Sequence, residues 1–517
     1  MPQALAVGLV ILTLVAVSTL IANRFGTPAP VVQTGIGIVL GFVPVMPHVD
    51  LPPAFVMFAI LPPLVYAAAV ELPWEDFRDN LRPISALAIG LVAATIAAVA
   101  AAAHELIPGL SWAEAAVLGA IVSPTDPAAS TAVASRLGVP RRLTAIIEGE
   151  GLVNDAVSLT IYRLALAALA AGAFAIGVGV LRFVLVVVGE IAYGCAVGWA
   201  VTQIRKRITD PRAEITVSLL TPFAAYLVPE ALGGSGVLAT LSAGMYIGEK
   251  TPEIVPSGTR LHLTGVWDII IHLLNGALFL LTGLQFRSLW EGRTDFAPSS
   301  LLWYGILVSA VVIATRFAWI WPAAWASRAI SGNRRERDPM PSAGHFAFLS
   351  WSGMRGGISL AAAFSIPLAV HARPLILFLT AAVIAATLLI QGVTLPFVIH
   401  ALRLDREAKN EETDLRLEEA SARSECIQAA LHALDAHSGP AAELLRAEYR
   451  QSAARLQDAQ DECKAHAQVR KSAIEAERRC LLQLHRDRKI AEEVMRRIER
   501  DVDLREALLT ESLARID

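Results

Sequence analysis

The sequence predicts an all-α membrane protein: 13 transmembrane helices in two inverted six-helix repeats, then a helical tail. Three observations lead there. Apolar residues make up 55% of the chain and charged residues 18%, with a mean hydropathy of +0.52, the composition of a many-span protein. Charge is segregated: residues 405–517 hold 20 Lys+Arg and 25 Asp+Glu, leaving 24 and 22 for the first 404. Two apolar segments are interrupted at corresponding places, at Pro124-Thr125-Asp126-Pro127 and at Gly353-Met354-Arg355-Gly356-Gly357. The chain therefore divides into a transmembrane region, 1–404, and a cytoplasmic helical regulatory or dimerisation region, 405–517.

A span needs about 20 apolar residues. Segments that meet this run over 3–22, 29–45, 53–72, 83–107, 112–135, 142–168, 174–204, 213–230, 234–249, 262–285, 300–328, 343–369 and 372–402. The first lacks a basic residue ahead of its apolar run and a small-x-small cleavage pattern, so it reads as a retained span rather than a signal peptide. Alternate loops carry most of the basic residues, from Arg24 through Arg141, Arg142 and Arg205-Lys206-Arg207 to Arg337. The opposite loops hold little beyond Arg287, Arg293 and Arg373. By the positive-inside rule the N-terminus lies outside and the tail inside. Spans 1–6 and 8–13 form the two halves, with span 7 between them, and each half carries its break in its fifth span.

Beyond Leu404 the composition turns to Ala, Glu and Arg, broken at Ser438-Gly439-Pro440. Ile490, Val494, Ile498, Val502, Leu509, Leu513 and Ile516 recur at mostly three- or four-residue spacing, an amphipathic stripe suited to a helical hairpin or a partner helix. A net charge of -3 speaks against a nucleic-acid partner. Cys195, Cys426, Cys463 and Cys480 show no CxxC spacing and read as reduced thiols.

Chemistry concentrates between Ile121 and Ser158. Carboxylates inside hydrocarbon-length segments are costly and mark ion or proton paths. Pro124 and Pro127 remove two backbone donors and force unwinding, which at membrane depth is tolerated only against protein or a wet cavity. Asp155 suits a carrier's role: desolvation disfavours the charged form of a carboxylate, so a proton and a metal cation can compete for it. Asn154 adds a neutral oxygen or donor. One carboxylate trading one cation for one proton makes the cycle electroneutral. Thr125 and Asp126 offer a hydroxyl, carbonyls and a second carboxylate at the break, where alkali ions find several oxygens. Asp126 also suits helix capping. Glu150 needs a buried cation as partner, and Arg316 and Arg355 both qualify. Glu148 reads as a solvated residue. Glu190, Asp268 and His272 sit in apolar context without a motif, and His272 reads as a packing histidine. No catalytic residue or bound cofactor is expected; the ligands are a transported monovalent cation and H⁺, with membrane lipid around the chain.

The run Glu150-Gly151-Leu152-Val153-Asn154-Asp155-Ala156, preceded by Ser123-Pro124-Thr125-Asp126-Pro127, resembles the sodium/proton exchangers of the cation–proton antiporter-1 family. Leu61-Pro62-Pro63-Leu64, Arg316 in its RFAWIWP context and the Gly353–Gly357 run match as well, in the expected order, over residues 1 to about 402. The resemblance implies a core domain and a dimerisation domain, and a plasma-membrane homodimer in which the core moves like an elevator. It implies that Asn154-Asp155 is the signature of electroneutral exchange, that Thr125 and Asp126 form the unwound-helix site, and that Glu150 pairs with Arg316. Two positions depart from the pattern: many members carry an acid where Ala67 stands and Ser where Gly151 stands. Both changes remove oxygens, leaving the choice among Na⁺, Li⁺ and K⁺ open. Beside Na⁺/H⁺ exchange stand a K⁺/H⁺ exchanger on the same fold, an intramembrane aspartyl hydrolase using Asp126 and Asp155, and a receptor signalling through its tail. The hydrolase lacks a Gly-x-Gly-Asp motif and the receptor lacks an output domain.

Overall fold

The computed structural model describes residues 2–43, 53–171, 176–291, 296–329, 341–455, 460–487, 489 and 492–514. The chain forms two compact units, Met1–Lys409 and Asn410–Asp517. Among the described residues every regular element is a helix.

In the first unit α1 (Pro2–Phe25) and α2 (Ala29–Gly41) lead into α3 (Pro53–Glu71), the short α4 (Trp74–Asp79) and α5 (Leu81–Leu106). Helix α6 (Trp112–Val122) stops at the first break and α7 (Pro127–Leu137) resumes after it. Then follow α8 (Arg141–Ala171), α9 (Ile176–Arg205), α10 (Pro211–Ala231), α11 (Val237–Ile254), α12 (Ser257–Leu284), the short α13 (Phe286–Glu291) and α14 (Pro298–Ala329). Helix α15 (Ala343–Trp351) ends at the second break, α16 (Gly357–Phe364) follows it, and α17 (Arg373–Ala401) closes the apolar region. A helix or a broken pair thus occupies each apolar segment. Among the described residues eight helices are long and apolar enough to cross a membrane, and Ala29–Gly41 is a shorter apolar one. The remaining segments fall short of that measure because α6–α7 and α15–α16 are interrupted, α10 carries Arg212, Glu214 and Glu230, and α11 carries Glu249, Lys250 and Glu253. Loop arginines 293, 334, 335 and 337 lie outside the described residues.

The helices sort into two bundles. Helices α1, α2, α3, α9, α10, α11 and α12 pack on one another; so do α5, α6, α7, α8, α14, α15, α16 and α17. The bundles meet along thinner seams, α8 against α3, α9 and α11, α16 against α3 and α12, and α2 against α7 and α17. Without hydrophobic drive between spans in lipid, close approach through small residues supplies the packing. Gly37 and Gly283 show it: a Cβ on Gly283 would stand 2.8 Å from the Gly37 Cα, so α2 and α12 touch backbone to backbone.

Among the described residues, turns of π-helix lie inside three spans, at Val56–Ile60, Ala86–Leu91 and Thr387–Gln391. Such turns free carbonyls from the usual ladder; the Trp319 indole donates to the Ala86 carbonyl at 3.0 Å and fixes α14 on α5. Trp267 and Trp351 likewise serve packing, donating to Ser218 and Thr394, whereas Trp290 and Trp303 are exposed.

Helix α18 (Leu404–Asp435) begins in the first unit and continues into the second, followed by α19 (Pro440–Arg455), α20 (Gln460–Arg486) and α21 (Glu492–Ala514). Ile474, Val502 and Leu509 form a small core between α20 and α21. Around it Arg478 meets Asp503 and Glu506, and Arg505 meets Glu477 at 2.7 Å, the order of an antiparallel pair. The stripe read from the sequence is therefore only partly buried: Val494 and Ile498 stay exposed because the paired stretch centres on Val502–Leu509. Ile490 and Ile516 and the side chain of Leu513 lie outside the described residues. Cys195, Cys426 and Cys480 are free and exposed.

Candidate functional site

Both breaks are made by residues that cannot carry a helix through. Pro124 and Pro127 interrupt α6–α7; Ser352 to Gly356 interrupts α15–α16 with two glycines. The loose ends bond to each other. The Asp126 N–H donates to the Met354 carbonyl at 2.8 Å. Arg355 Nε donates to the Val122 carbonyl at 3.1 Å, and another guanidinium nitrogen to the Gly353 carbonyl. The Arg355 N–H donates to Thr387 Oγ1 at 3.1 Å, in the π-turn of α17. Arg355 is 1% exposed: a fully buried cation held by carbonyls that the broken helices leave free. Asp126 caps α7, accepting from the Ala128 N–H at 2.9 Å.

A hydrogen-bonded chain runs through the first break. The Asn154 amide donates to Thr125 Oγ1 at 2.7 Å, and that hydroxyl donates to Glu150 Oε1 at 3.2 Å. Arg316 grips Glu150 with both terminal nitrogens, the second at 2.7 Å to Oε2, and its Nε donates to the Leu349 carbonyl at 2.8 Å. Glu150 and Arg316 are each 1% exposed. Of the two buried arginines, Arg316 makes the ion pair, while Arg355 is engaged with backbone. The pair joins α8 to α14, and the Leu349 contact adds α15.

Asp155 lies one residue beyond Asn154 on α8, buried, and its carboxylate makes no hydrogen bond among the described residues. It stands within electrostatic reach of Asp126. Asn154 Oδ1 is buried without a partner among the described residues. Asp155 thus has a half-buried second carboxylate, Asp126, near enough to act on it, and the unclaimed Asn154 oxygen next to it in the chain. A buried carboxylate without a hydrogen-bond donor is expensive.

Glycines let these groups meet. A Cβ on Gly151 would come within 2.5 Å of the Pro127 ring, and one on Gly353 within 2.5 Å of Arg316 Cδ. The serine common elsewhere at position 151 would require α7 to shift, so Gly151 goes with this chain's close packing of α8 on the break. Ala67, 4% exposed, packs with Tyr66 and Trp267.

The other polar residues lie apart. Glu148 is half-buried, and Asp268 and His272 are not buried on α12, so His272 is not a core packing residue; its Nε2 is 3.4 Å from Thr19 Oγ1. Two clusters escape the sequence reading. Arg163 on α8 binds Glu230 and the Gly234 carbonyl across the seam between the bundles, beside Glu190, which accepts from the Ser235 N–H at 2.6 Å. Arg205, which reads as a loop cation in the sequence, is buried against Glu214. The available signal was charge inside apolar segments, which names such residues without pairing them.

Two crossed discontinuous helices around buried acids define a multi-pass secondary transporter. The chain belongs to the sodium/hydrogen exchanger family, whose transmembrane model matches residues 9–401. It is similar to an uncharacterized Na⁺/H⁺ exchanger of Mycobacterium tuberculosis, 35% identical over 436 residues that cover 81% of this chain and 78% of the relative. A sodium, potassium, lithium and rubidium/H⁺ antiporter of Bacillus pumilus is 32% identical over 75% of this chain and 60% of its own length. The solved sodium proton antiporter MjNhaP1 of Methanocaldococcus jannaschii shares the fold, with a TM-score of 0.62 at 17% identity over 78% of this chain and 99% of that one. These relatives are transporters, which sets the hydrolase reading aside.

Proposed function

We propose that the protein exchanges Na⁺, or K⁺, for H⁺ electroneutrally, with Asp155 as the carboxylate that cation and proton occupy in turn. The observation that carries this is the buried Asp155 carboxylate without a hydrogen-bond donor among the described residues, beside Asp126 and the unclaimed Asn154 oxygen. Thr125 supplies further oxygens at the break. A cation displaces the proton when it is abundant, and the proton returns when it is not. The Glu150–Arg316 pair is structural: it fixes α8 against α14 and aims Asn154 through Thr125.

The bundle holding α5–α8 and α14–α17 carries the site, and moves as an elevator against the bundle of α1–α3 and α9–α12. The thin seams between them support this. Thirteen spans in two inverted repeats put the N-terminus outside and the tail in the cytoplasm of a plasma-membrane homodimer. The loop charge bias supports that orientation, and the family resemblance supports the dimer. No bound cofactor is needed, since the ions are cargo. The four cations in the name of the Bacillus pumilus relative favour keeping K⁺/H⁺ exchange as the second reading.

In proteoliposomes, a Na⁺ or K⁺ gradient is expected to drive proton movement at a rate unchanged by clamping the voltage. A rate that follows the imposed voltage contradicts one-for-one exchange. Comparing Na⁺, Li⁺ and K⁺ in the same vesicles decides the cation. The tail is accessory in this account: a chain ending at Lys409 keeps its first unit and is expected to exchange, with changed pH response or dimer stability. Loss of all transport by that well-folded truncation contradicts an accessory tail.

A further inference from the structure

Gly356 sits where the second break reaches the acid of the first. A Cβ added there would overlap the outer oxygen of Asp126 and lie 2.6 Å from its Cγ and 2.7 Å from its Cβ. The Gly356 backbone is extended, φ -121° and ψ -169°, which any residue can adopt. Backbone conformation therefore does not require glycine here; the neighbouring carboxylate does. Nor can Asp126 readily step aside. Its N–H is bonded to the Met354 carbonyl, its other oxygen caps α7 through Ala128, and the following Pro127 is packed against Gly151. The carboxylate is held on three sides, and the missing side chain of residue 356 forms the fourth.

We propose that Gly356 is a positioning residue for cation affinity: its bare α-carbon lets Asp126 hold its place across the crossing, within reach of Asp155. This deepens the antiport reading and rests on it. A methyl at 356 would push the Asp126 carboxylate away from the α16 side. Cation coordination depends on the spacing of hard oxygen ligands, so the cation loses one well-placed oxygen. The carrier Asp155, on a different helix, keeps its proton chemistry.

The test uses the full chain in proteoliposomes and compares wild type with Gly356→Ala, Asp126→Ala and the double variant. Gly356→Ala is expected to raise the Na⁺ KM about tenfold, the lower end of what disturbing the support of a metal ligand costs, while the maximal rate changes much less. A purely structural defect would lower the amount of active protein, hence the maximal rate, without moving KM. An unchanged KM in folded Gly356→Ala overturns the proposal. Thermal unfolding supplies the second readout: the loss of Tm from Gly356→Ala should shrink in the Asp126→Ala background, where the clash is gone. An equal loss in both backgrounds overturns it. If Gly356→Ala does not fold, the double variant should; a double variant that also fails to fold overturns the proposal too. Asp126→Ala with wild-type KM would instead count against the antiport reading of Asp126, and the Tm comparison would still judge the packing.

Discussion

Asp155→Asn is expected to reduce cation-driven proton flux in proteoliposomes to that of empty vesicles, with expression, elution profile and Tm close to wild type. The reason is local. Asparagine is nearly isosteric with aspartate, and the Asp155 side chain makes no hydrogen bond among the described residues, so the fold loses little. What disappears is the group on which proton and cation compete. A neutral amide at position 155 can neither release a proton to an arriving cation nor balance its charge in a site where unpaired charge is costly. Because Asn154 and Thr125 remain in place, weak cation binding can survive without coupled flux. Robust exchange by the variant would remove Asp155 from the mechanism.

Breaking the Glu150–Arg316 pair is expected to have the largest effect on stability. Removing one partner of a buried pair leaves an uncompensated charge and costs about 3–5 kcal/mol. Glu150→Gln strands Arg316, which is 1% exposed. Arg316→Leu strands Glu150 and also frees the Leu349 carbonyl that Arg316 Nε now satisfies. Each single change should lower Tm sharply and shrink the folded fraction recovered in detergent. The charge swap, Glu150→Arg with Arg316→Glu, should recover part of the loss. Full recovery is not expected, because a carboxylate at position 316 cannot donate to the Leu349 carbonyl and a guanidinium at position 150 cannot accept from Thr125. A swap no better than the single variants argues that the pair contributes little as a pair.

The sequence shows where these residues sit more clearly than how they meet. Hydropathy marks long segments, and proline and glycine mark breaks, so the helices and both interruptions are legible. The tie between the breaks is not, because it runs through backbone groups, the Asp126 N–H and the Met354 and Val122 carbonyls, that carry no side-chain signature. Arg355 shows the consequence: apolar context and charge alone leave it equal to Arg316 as a partner for Glu150, and only its donation to carbonyls separates them. Arg205 reads as a loop residue because it precedes Lys206 and Arg207; its burial depends on Glu214 folding back from the next helix. Arg163 and Glu230 lie 67 residues apart, a contact that no periodicity announces. In the tail, a continuous stripe implies continuous burial, yet the facing helix covers only part of it.

Proton release on cation binding tests the central claim most directly. Na⁺, or K⁺ if it is the better cation, is added to purified protein in weak buffer, and released protons are counted against cation bound. A carboxylate that must give up its proton to coordinate should release about one proton per cation near neutral pH, and Asp155→Asn should release none. Cation binding without proton release by the wild type, or the same release by Asp155→Asn, would contradict the account.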